Sequence, residues 1–221
     1  MGAPVKGGIG MDDLLTMTAA EIAYLSSAWP EAMSSRVHNA LGIRDGRSEE
    51  VLLAGLGSLL ERRLVTETDA EPGYAPGAEA RVAMLGLYCA QATIEFATVI
   101  DRHLHSMAVF IGPELRLGAL AASAGRFALG LYPADVDWGS VLVDGIGNAL
   151  GAAPDALTLL QFRSSTGALE RIAIRTDTDG RWLVSDSAES DASFRPTNRA
   201  EVAQSIATAL AGIGLEPSLT H

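Results

Sequence analysis

Two pairs of apolar segments in this sequence are joined by turns so short that each pair can form only an antiparallel hairpin. The first pair is Leu115–Ala122 and Arg126–Tyr132 around Ser123-Ala124-Gly125, and the second is Leu169–Thr176 and Trp182–Ser185 around Asp179-Gly180. Parallel strands need a crossover of a dozen or more residues, which these turns cannot supply. The sequence therefore predicts an antiparallel sheet.

Helix signals alternate with the strands. Thr18-Ala-Ala-Glu21 and Asn198-Arg-Ala-Glu201 have the capping-box pattern, and Ser48 is a good N-cap for a helix that runs to about Arg63. Further helices are predicted at 79–92 and 137–149, and further strands at 93–100, 106–111 and 157–163. Each of the two hairpin-bearing segments is followed by a predicted helix, the first near 137–149 and the second near 198–211. This order predicts an α+β fold with helices packed at the faces or ends of the sheet.

The length suits a single α+β domain. We predict a flexible leader at 1–11, a domain at 12–213 with an N-terminal half 12–151 and a C-terminal half 152–213, and a loose tail at 214–221. The leader has no continuous apolar stretch that would make it a secretory signal. Apolar residues make up 48% of the chain, but no apolar run reaches the roughly 18 residues of a membrane helix. We expect a cytoplasmic protein, and its single cysteine, Cys89, predicted to be buried in the core, fits a reducing compartment.

Charge and residue usage exclude several functions. The net charge is −11, from 16 basic and 27 acidic residues, so the chain repels phosphate backbones and anionic lipids. We therefore expect neither nucleic acid nor a membrane as partner. The only lysine is Lys6, in the leader. The domain therefore lacks the lysine that phosphate-binding loops and Schiff-base chemistry require. There is no G-x-S-x-G elbow. We expect no enzyme activity and no cofactor.

Three weaker patterns also favour the absence of a metal or nucleotide site. His103 and His105 lack a sufficient set of further ligands, since only Asp101 and Glu114 are near in sequence. Asp177-Thr-Asp179-Gly180 has Trp182 where a calcium loop needs glycine, so it is predicted to be a β-turn. Gly145-Ile-Gly147 lacks the third glycine of a dinucleotide-binding turn.

Taken in order, the segments resemble the EspG family, the cytosolic chaperones associated with type VII (ESX) secretion in actinobacteria. The early helix and the helix at 48–65 are similar to the N-terminal helices of that family. The other similar segments are GAEARVAMLGLYCAQATIEF (77–96), GPELRLGALAASAGRFALGLYP (112–133), RIAIRTDTDGRWLVSD (171–186) and FRPTNRAEVAQSIATALAGI (194–213). The resemblance implies an antiparallel sheet flanked by helical bundles with quasi-two-fold organisation. The chain departs from the family in a shorter region between 132 and 157 and in an apparent insertion at 103–107.

The same resemblance implies a function. Members of the family bind PE–PPE heterodimers, shield the apolar tip of the PPE protein and keep the cargo soluble. Their contacts come from the loop of the central hairpin and from the C-terminal bundle. Carried onto this chain, the partner-binding residues are Ser123, Ala124, Gly125 and Arg126, with further contacts from 137–151 and the last helix. No catalytic residue, metal or cofactor is implied, and homodimer formation is left open.

Two alternatives remain open at this point. Ser48–Val65 resembles the last helix and first wing strand of winged-helix DNA-binding domains, with 66–76 as the wing, and such a protein would be a transcriptional regulator with a C-terminal ligand or dimerisation domain. Glu67, Asp69 and Glu71 argue against it, because a phosphate-facing wing needs Arg or Lys. The other alternative is a small-molecule binder or an unrecognised enzyme that uses the face of the sheet.

Overall fold

The computed structural model describes residues 12–44, 46–69, 73–122, 125–153, 156–167, 169–186 and 193–215 of the 221. The elements in chain order are β1 (Asp12–Thr18), α1 (Ala19–Ser26), α2 (Glu31–Leu41), α3 (Glu49–Glu61), β2 (Val65–Glu67), β3 (Tyr74–Pro76), α4 (Ala78–Tyr88), β4 (Ala92–Ile100), β5 (His103–Ile111), β6 (Arg116–Ala121), β7 (Arg126–Leu131), α5 (Trp138–Ala152), β8 (Leu157–Ser164), β9 (Leu169–Thr176), β10 (Trp182–Ser185), β11 (Arg195–Pro196) and α6 (Arg199–Gly212).

These elements group into two compact units. The amino-terminal unit is Asp12–Gln91 together with Met107–Leu131, and the carboxyl-terminal unit contains Ala92–Ser106 and the described residues from Tyr132 onward. A large antiparallel sheet and, in the described part of the chain, six helices confirm the predicted α+β class. Each unit has its own antiparallel strands and its own helices. The predicted halves 12–151 and 152–213 stay a prediction.

In the amino-terminal unit, the strands are ordered β1-β7-β6-β5 and every neighbouring pair is antiparallel. Alternate residues of these strands point to one face, where they form the core with the helices. The core side chains of the strands include Met17, Phe110, Leu117 and Leu129, and those of the helices include Ile22, Leu59 and Leu87. Helices α1 to α4 therefore supply the apolar cover of this face.

Two glycines allow backbones to approach closely in this unit. A Cβ at Gly55 of α3 would lie 2.1 Å from the Ala20 carbonyl oxygen of α1, and a Cβ at Gly86 of α4 would lie 2.8 Å from Leu117 Cβ of β6. Neither position has room for a larger side chain. The two glycines therefore allow α3 to cross close to α1 and α4 to pack close to β6.

A buried carboxylate joins α1, α3 and β1. The Glu21 side chain is fully buried and accepts hydrogen bonds from the Thr18 amide (2.7 Å), Ser58 Oγ (2.7 Å) and Arg62 Nη1 (2.7 and 2.8 Å). Arg62 Nη2 also donates to the Thr16 carbonyl oxygen of β1 (2.7 Å). Burial by itself raises the pKa of Glu21, but these hydrogen bonds and the charge of Arg62 outweigh it and hold the pKa below its usual 4.5.

The carboxyl-terminal unit has the strand order β4-β8-β9-β10-β11. One sheet face is buried, as the register row Thr98–Thr158–Ile174–Val184 shows, since each of its members is at most 5% exposed. A Cβ at Gly145 would lie 3.6 Å from the Phe96 ring on that face, so α5 packs over β4 there. Helix α6 carries its own buried side chains, Val202 and Ile206. An ion pair between Asp144 and Arg199 joins the two helices.

Most local predictions are confirmed. Thr18 and Glu21 form the reciprocal capping box, and Ser48 caps α3. Both predicted hairpins are present as β6–β7 and β9–β10. Asn198 caps α6, but the Glu201 carboxylate accepts from the Thr197 hydroxyl (2.9 Å), so the predicted second capping box is only half formed.

Several local predictions are wrong or incomplete. Cys89, predicted to be buried, is exposed, because it is the C-cap residue of α4 and the apolar stripe of that helix ends before it. Residues 31–41, for which no helix was predicted, form α2, with Pro30 at its N-cap. No strand was predicted at Tyr74–Pro76, which forms β3, and β5 begins at His103, earlier than the strand predicted at 106–111. The insertion at 103–107 stays a prediction. No helix in the described ranges is both long and apolar enough to cross a bilayer.

Candidate protein-binding surface

Two of the four predicted partner-binding residues, Gly125 and Arg126, lie at the turn of the β6–β7 hairpin. Ser123 and Ala124 fall outside the described residues. Gly125 and Arg126 are exposed, and Gly125 has a φ of +67°, which glycine adopts without strain. The Ala122 amide donates to the Arg126 carbonyl oxygen (2.8 Å) and closes the hairpin. Of the four predicted residues, the structure thus brings Gly125 and Arg126 to the exposed end of β7.

Next to this turn, the hairpin carries one exposed leucine, Leu120, flanked by two half-buried apolar side chains. Leu120 is 46% exposed and lies in register between Met107 of β5 and Ala128 of β7, both of which are half-buried. Its neighbours Leu117 and Ala119 are buried, because their side chains point to the opposite, helix-covered face. From the sequence, Leu120 was predicted only to be part of an apolar strand. Its position three residues from the turn, out of phase with Leu117, was the signal that could have identified it.

The charge at the rim of this surface comes from Arg126 of β7, which lies beside β1. Thr18, the residue that caps α1, pairs with Arg126 in the β1–β7 register. Glu21, one turn further along α1, is neutralised by Arg62. The hairpin end therefore presents apolar side chains beside an exposed guanidinium. Such a surface can bury an apolar partner segment and can pair with a carboxylate.

The amino-terminal unit also contains a serine–histidine pair that the sequence analysis missed. Ser26 Oγ lies 3.0 Å from His38 Nε2 and lines a cavity of about 350 Å³ beside Trp29 and Arg47. The Ser26 hydroxyl donates its proton to the Ala23 carbonyl oxygen (2.6 Å), so we infer that His38 Nε2 is the donor to Ser26. A histidine that donates to a serine cannot deprotonate it. The pair therefore has the arrangement of a structural contact between α1 and α2.

Burial and the positive charge of Arg47 lower the pKa of His38 below its usual 6.5. Ser34 of α2 is as buried as Ser26, and its hydroxyl donates to the Ser26 carbonyl oxygen (2.8 Å). The ion pair of Arg47 with Glu31 (3.0 Å) lies at the exposed rim of the cavity. The polar wall of the cavity is thus already engaged in contacts within the unit.

The other sequence patterns do not converge on a site. His103 and His105 are exposed on β5, and the described residues contain no group of three or more His, Cys, Asp and Glu side chains placed to hold a metal ion. Asp177 Oδ1 accepts from the amides of Asp179 and Arg181 (2.9 Å each), as expected for a turn. Gly145 and Gly147 lie inside α5.

Comparison with known proteins bears on the fold of this chain. No family model and no curated protein matches the sequence. Among solved structures, the chain is similar to one described as the Mycobacterium tuberculosis type VII secretion system chaperone EspG5 in complex with a PE25–PPE41 dimer. The TM-score is 0.53 and the identity 10%, over 94% of this chain and 99% of that chain.

The class of fold follows directly: the chain has an EspG-like fold, an antiparallel sheet with helices, as predicted. The particular neighbour is a type VII secretion chaperone that was solved with a PE–PPE dimer. At 10% identity the likeness concerns the fold alone.

Proposed function

We propose that the protein is a member of the EspG family that binds and solubilises a type VII secretion substrate of the PE–PPE kind in the cytoplasm, without enzymatic activity. The observation that carries this proposal is the likeness of nearly the whole chain to a chaperone captured with such a dimer. The charge of −11 and the lack of any lysine after residue 6 support a protein-binding role over a catalytic or nucleic-acid-binding one.

The proposed cargo surface is the end of the β6–β7 hairpin, with Ser123, Ala124, Gly125 and Arg126 at the turn and Leu120 beside it. Leu120, which is 46% exposed, supplies apolar area beside the turn that an apolar partner segment can cover. Arg126 supplies charge at the rim, where it selects partners and orients them. Further contacts are proposed from α5 and α6, the counterparts of the C-terminal bundle. The region from 133 to 157, which contains α5, is short, and the type of cargo depends on it.

Co-expression with PE–PPE pairs from the same genome, followed by size-exclusion chromatography, tests this proposal. The expected result is co-elution of a ternary complex and at least tenfold weaker binding for Leu120→Glu, because a charge is then buried in the apolar contact. Leu53→Glu, on α3 and 61% exposed, is the matched control and should bind normally. If no pair co-elutes, or if both variants bind like the unmodified chain, the proposal is wrong.

The winged-helix alternative has one observation in its favour: α3 is followed by the antiparallel β2–β3 hairpin, with Val65 opposite Pro76. The described residues of that hairpin and its turn include exposed Glu67 and Asp69 and no Lys or Arg. We therefore place it second. A gel shift with upstream DNA at about 50 mM salt, where phosphate contacts are strongest, would reveal DNA binding.

A further inference from the structure

One end of the carboxyl-terminal unit's sheet exposes large apolar side chains. Val99 of β4 lies opposite Leu157 of β8, and they are 39% and 41% exposed. The next residues on these strands, Thr98 and Thr158, face the buried side and are at most 5% exposed, with Thr158 Oγ1 donating to Thr98 Oγ1 (3.1 Å). The usual pattern of a half-buried strand is inverted here, because the hydroxyls are inside and the aliphatic side chains are outside.

The β4–β5 turn adds a third member to this row. The turn has two residues, Asp101 and Arg102, with φ of 50° and 64°. In a two-residue hairpin of this kind the flanking residues pair with each other, so the following pair is Val99 with Leu104. Leu104 is 68% exposed. Leu104, Val99 and Leu157 therefore form one row across three strands, which we call the apolar row.

The apolar row is not a chance scatter of single residues. It holds three of the seven large apolar side chains that are exposed in the described part of the chain. Isolated exposed leucines are common on soluble proteins, whereas contiguous ones mark an interaction surface. Strands lie about 4.8 Å apart, so the three side chains span roughly 10 Å. That span matches residues i and i+7 of an α-helix, which are about 10.5 Å apart.

The strand face that carries the apolar row has the opposite charge sign to the chain as a whole, and the exposed turn residues Asp101 and Arg102 beside the row carry opposite charges. The next residue across the register from Leu157 is Arg175, which is exposed and lies 4.2 Å above the Phe194 ring. On the same face of β4, β8 and β9, the other charged positions are Arg163, Arg171 and Glu95. Three arginines and one glutamate thus face outward from a chain with a net charge of −11.

We propose that the apolar row docks an amphipathic helix of a partner protein, with apolar residues at i, i+3 or i+4, and i+7 and acidic residues beside them. The helix places its apolar stripe on Leu104, Val99 and Leu157, and its carboxylates pair with Arg175 and Arg171. A second copy of the chain fits this face less well, because symmetric contact would bring the arginines of two copies together. This surface goes beyond the proposed cargo site and does not depend on it.

A pair of labelled 18-residue helical peptides tests the proposal by fluorescence anisotropy with the full chain. Both peptides carry Leu at i, i+3, i+4 and i+7, one with Glu and the other with Lys at the flanking positions. The expected result is that the Glu peptide binds and the Lys peptide does not. Leu104→Asp should weaken Glu-peptide binding at least tenfold, and Arg175→Glu should reverse the preference between the peptides.

The control variant is Leu53→Asp, which changes an equally exposed leucine on α3 and should bind the Glu peptide normally. Unchanged melting temperatures show that the variants fold. Equal binding of both peptides, binding of neither, or equal losses in the two leucine variants would overturn the proposal. So would sedimentation showing a dimer that Leu104→Asp dissociates, because the apolar row would then contact a second copy. No secretion substrate is used, so either result leaves the chaperone proposal to its own test.

Discussion

Two glutamates, one in each unit, contact arginine in different ways. Glu21 is fully buried and lies 2.7 Å from Arg62, and its carboxylate accepts from the Thr18 amide and Ser58 Oγ as well. Glu95 is 15% exposed and 3.7 Å from Arg163, and its Oε1 has no hydrogen-bond partner, although Gln161 Nε2 donates to Oε2 (3.0 Å). The pKa of Glu21 is lowered, whereas burial raises the pKa of Glu95 despite the opposing charges of Arg163 and Arg171.

The difference shows which polar groups hold the fold together. A buried carboxylate stabilises a protein only when hydrogen bonds replace its lost hydration. Glu21 meets this condition and connects α1, α3 and β1. Glu95 meets it in part, on the outward face that also carries Arg171 and the apolar row. The amino-terminal unit therefore uses its buried charge for stability, whereas on this face of the carboxyl-terminal unit the Glu95 carboxylate is only partly satisfied.

The largest expected effect is that of Glu21→Ala. The substitution leaves Ser58, Arg62 and the Thr18 amide without their acceptor, and we expect the free energy of unfolding to fall by about 3 kcal/mol. Urea denaturation at pH 7 measures it. Glu61→Ala, which removes an exposed carboxylate at the end of α3, is the control and should change stability by less than about 0.5 kcal/mol. Equal losses in both variants would contradict the role given to Glu21.

An intermediate effect is expected from His38, whose folded-state pKa is lowered. Its neutral form is favoured in the folded protein, so its contribution is complete above pH 6.5 and is lost as the pH falls from 6.5 through the lowered pKa. The slope from one such group is at most about 1.4 kcal/mol per pH unit. His38→Gln should flatten the loss of stability between pH 7 and pH 5, whereas His103→Gln, on exposed β5, should not. A profile unchanged in His38→Gln would rule out this contribution.

The smallest effect, with the opposite sign, is expected at Glu95. Its folded-state pKa is raised, so its contribution is present below 4.5 and is lost as the pH rises through the raised value. Glu95→Gln removes the poorly satisfied charge and should raise the free energy of unfolding at pH 7 by up to about 1 kcal/mol. Glu170→Gln, at an exposed position of β9, is the comparison variant. A clear loss of stability in Glu95→Gln would show that the two glutamates act alike.

Local sequence patterns were sufficient for elements whose partners are near in the chain. Thr18 and Glu21 are three residues apart, and the Asp179-Gly180 turn joins adjacent strands, so their geometry is decided within a few residues. The same approach failed for Cys89, because burial at the end of a helix depends on what packs there. It also missed α2, since Pro30 is equally compatible with ending one helix and capping the next.

The candidate surfaces were only partly predictable. The hairpin turn at Ser123–Arg126 was predicted from its small residues and from the family resemblance. The exposure of Leu120 beside that turn became evident only from its register with Met107 and Ala128. The apolar row could not be predicted from the sequence, because Leu104 and Leu157 are more than fifty residues apart. No local pattern indicates that their side chains share a face.

The sequence by itself determined the antiparallel hairpins, the helix starts at Thr18, Ser48 and Asn198, and the acidic, lysine-poor character of this protein. It did so because short turns, capping residues and composition act locally or as sums over the chain. The tertiary structure decided which strands are neighbours, which of two sheet faces is buried, and how the Glu21 and Glu95 carboxylates differ. Those outcomes depend on contacts between residues far apart in sequence, where a shift of one residue in register turns every side chain to the other face. Both proposed binding surfaces are products of that register.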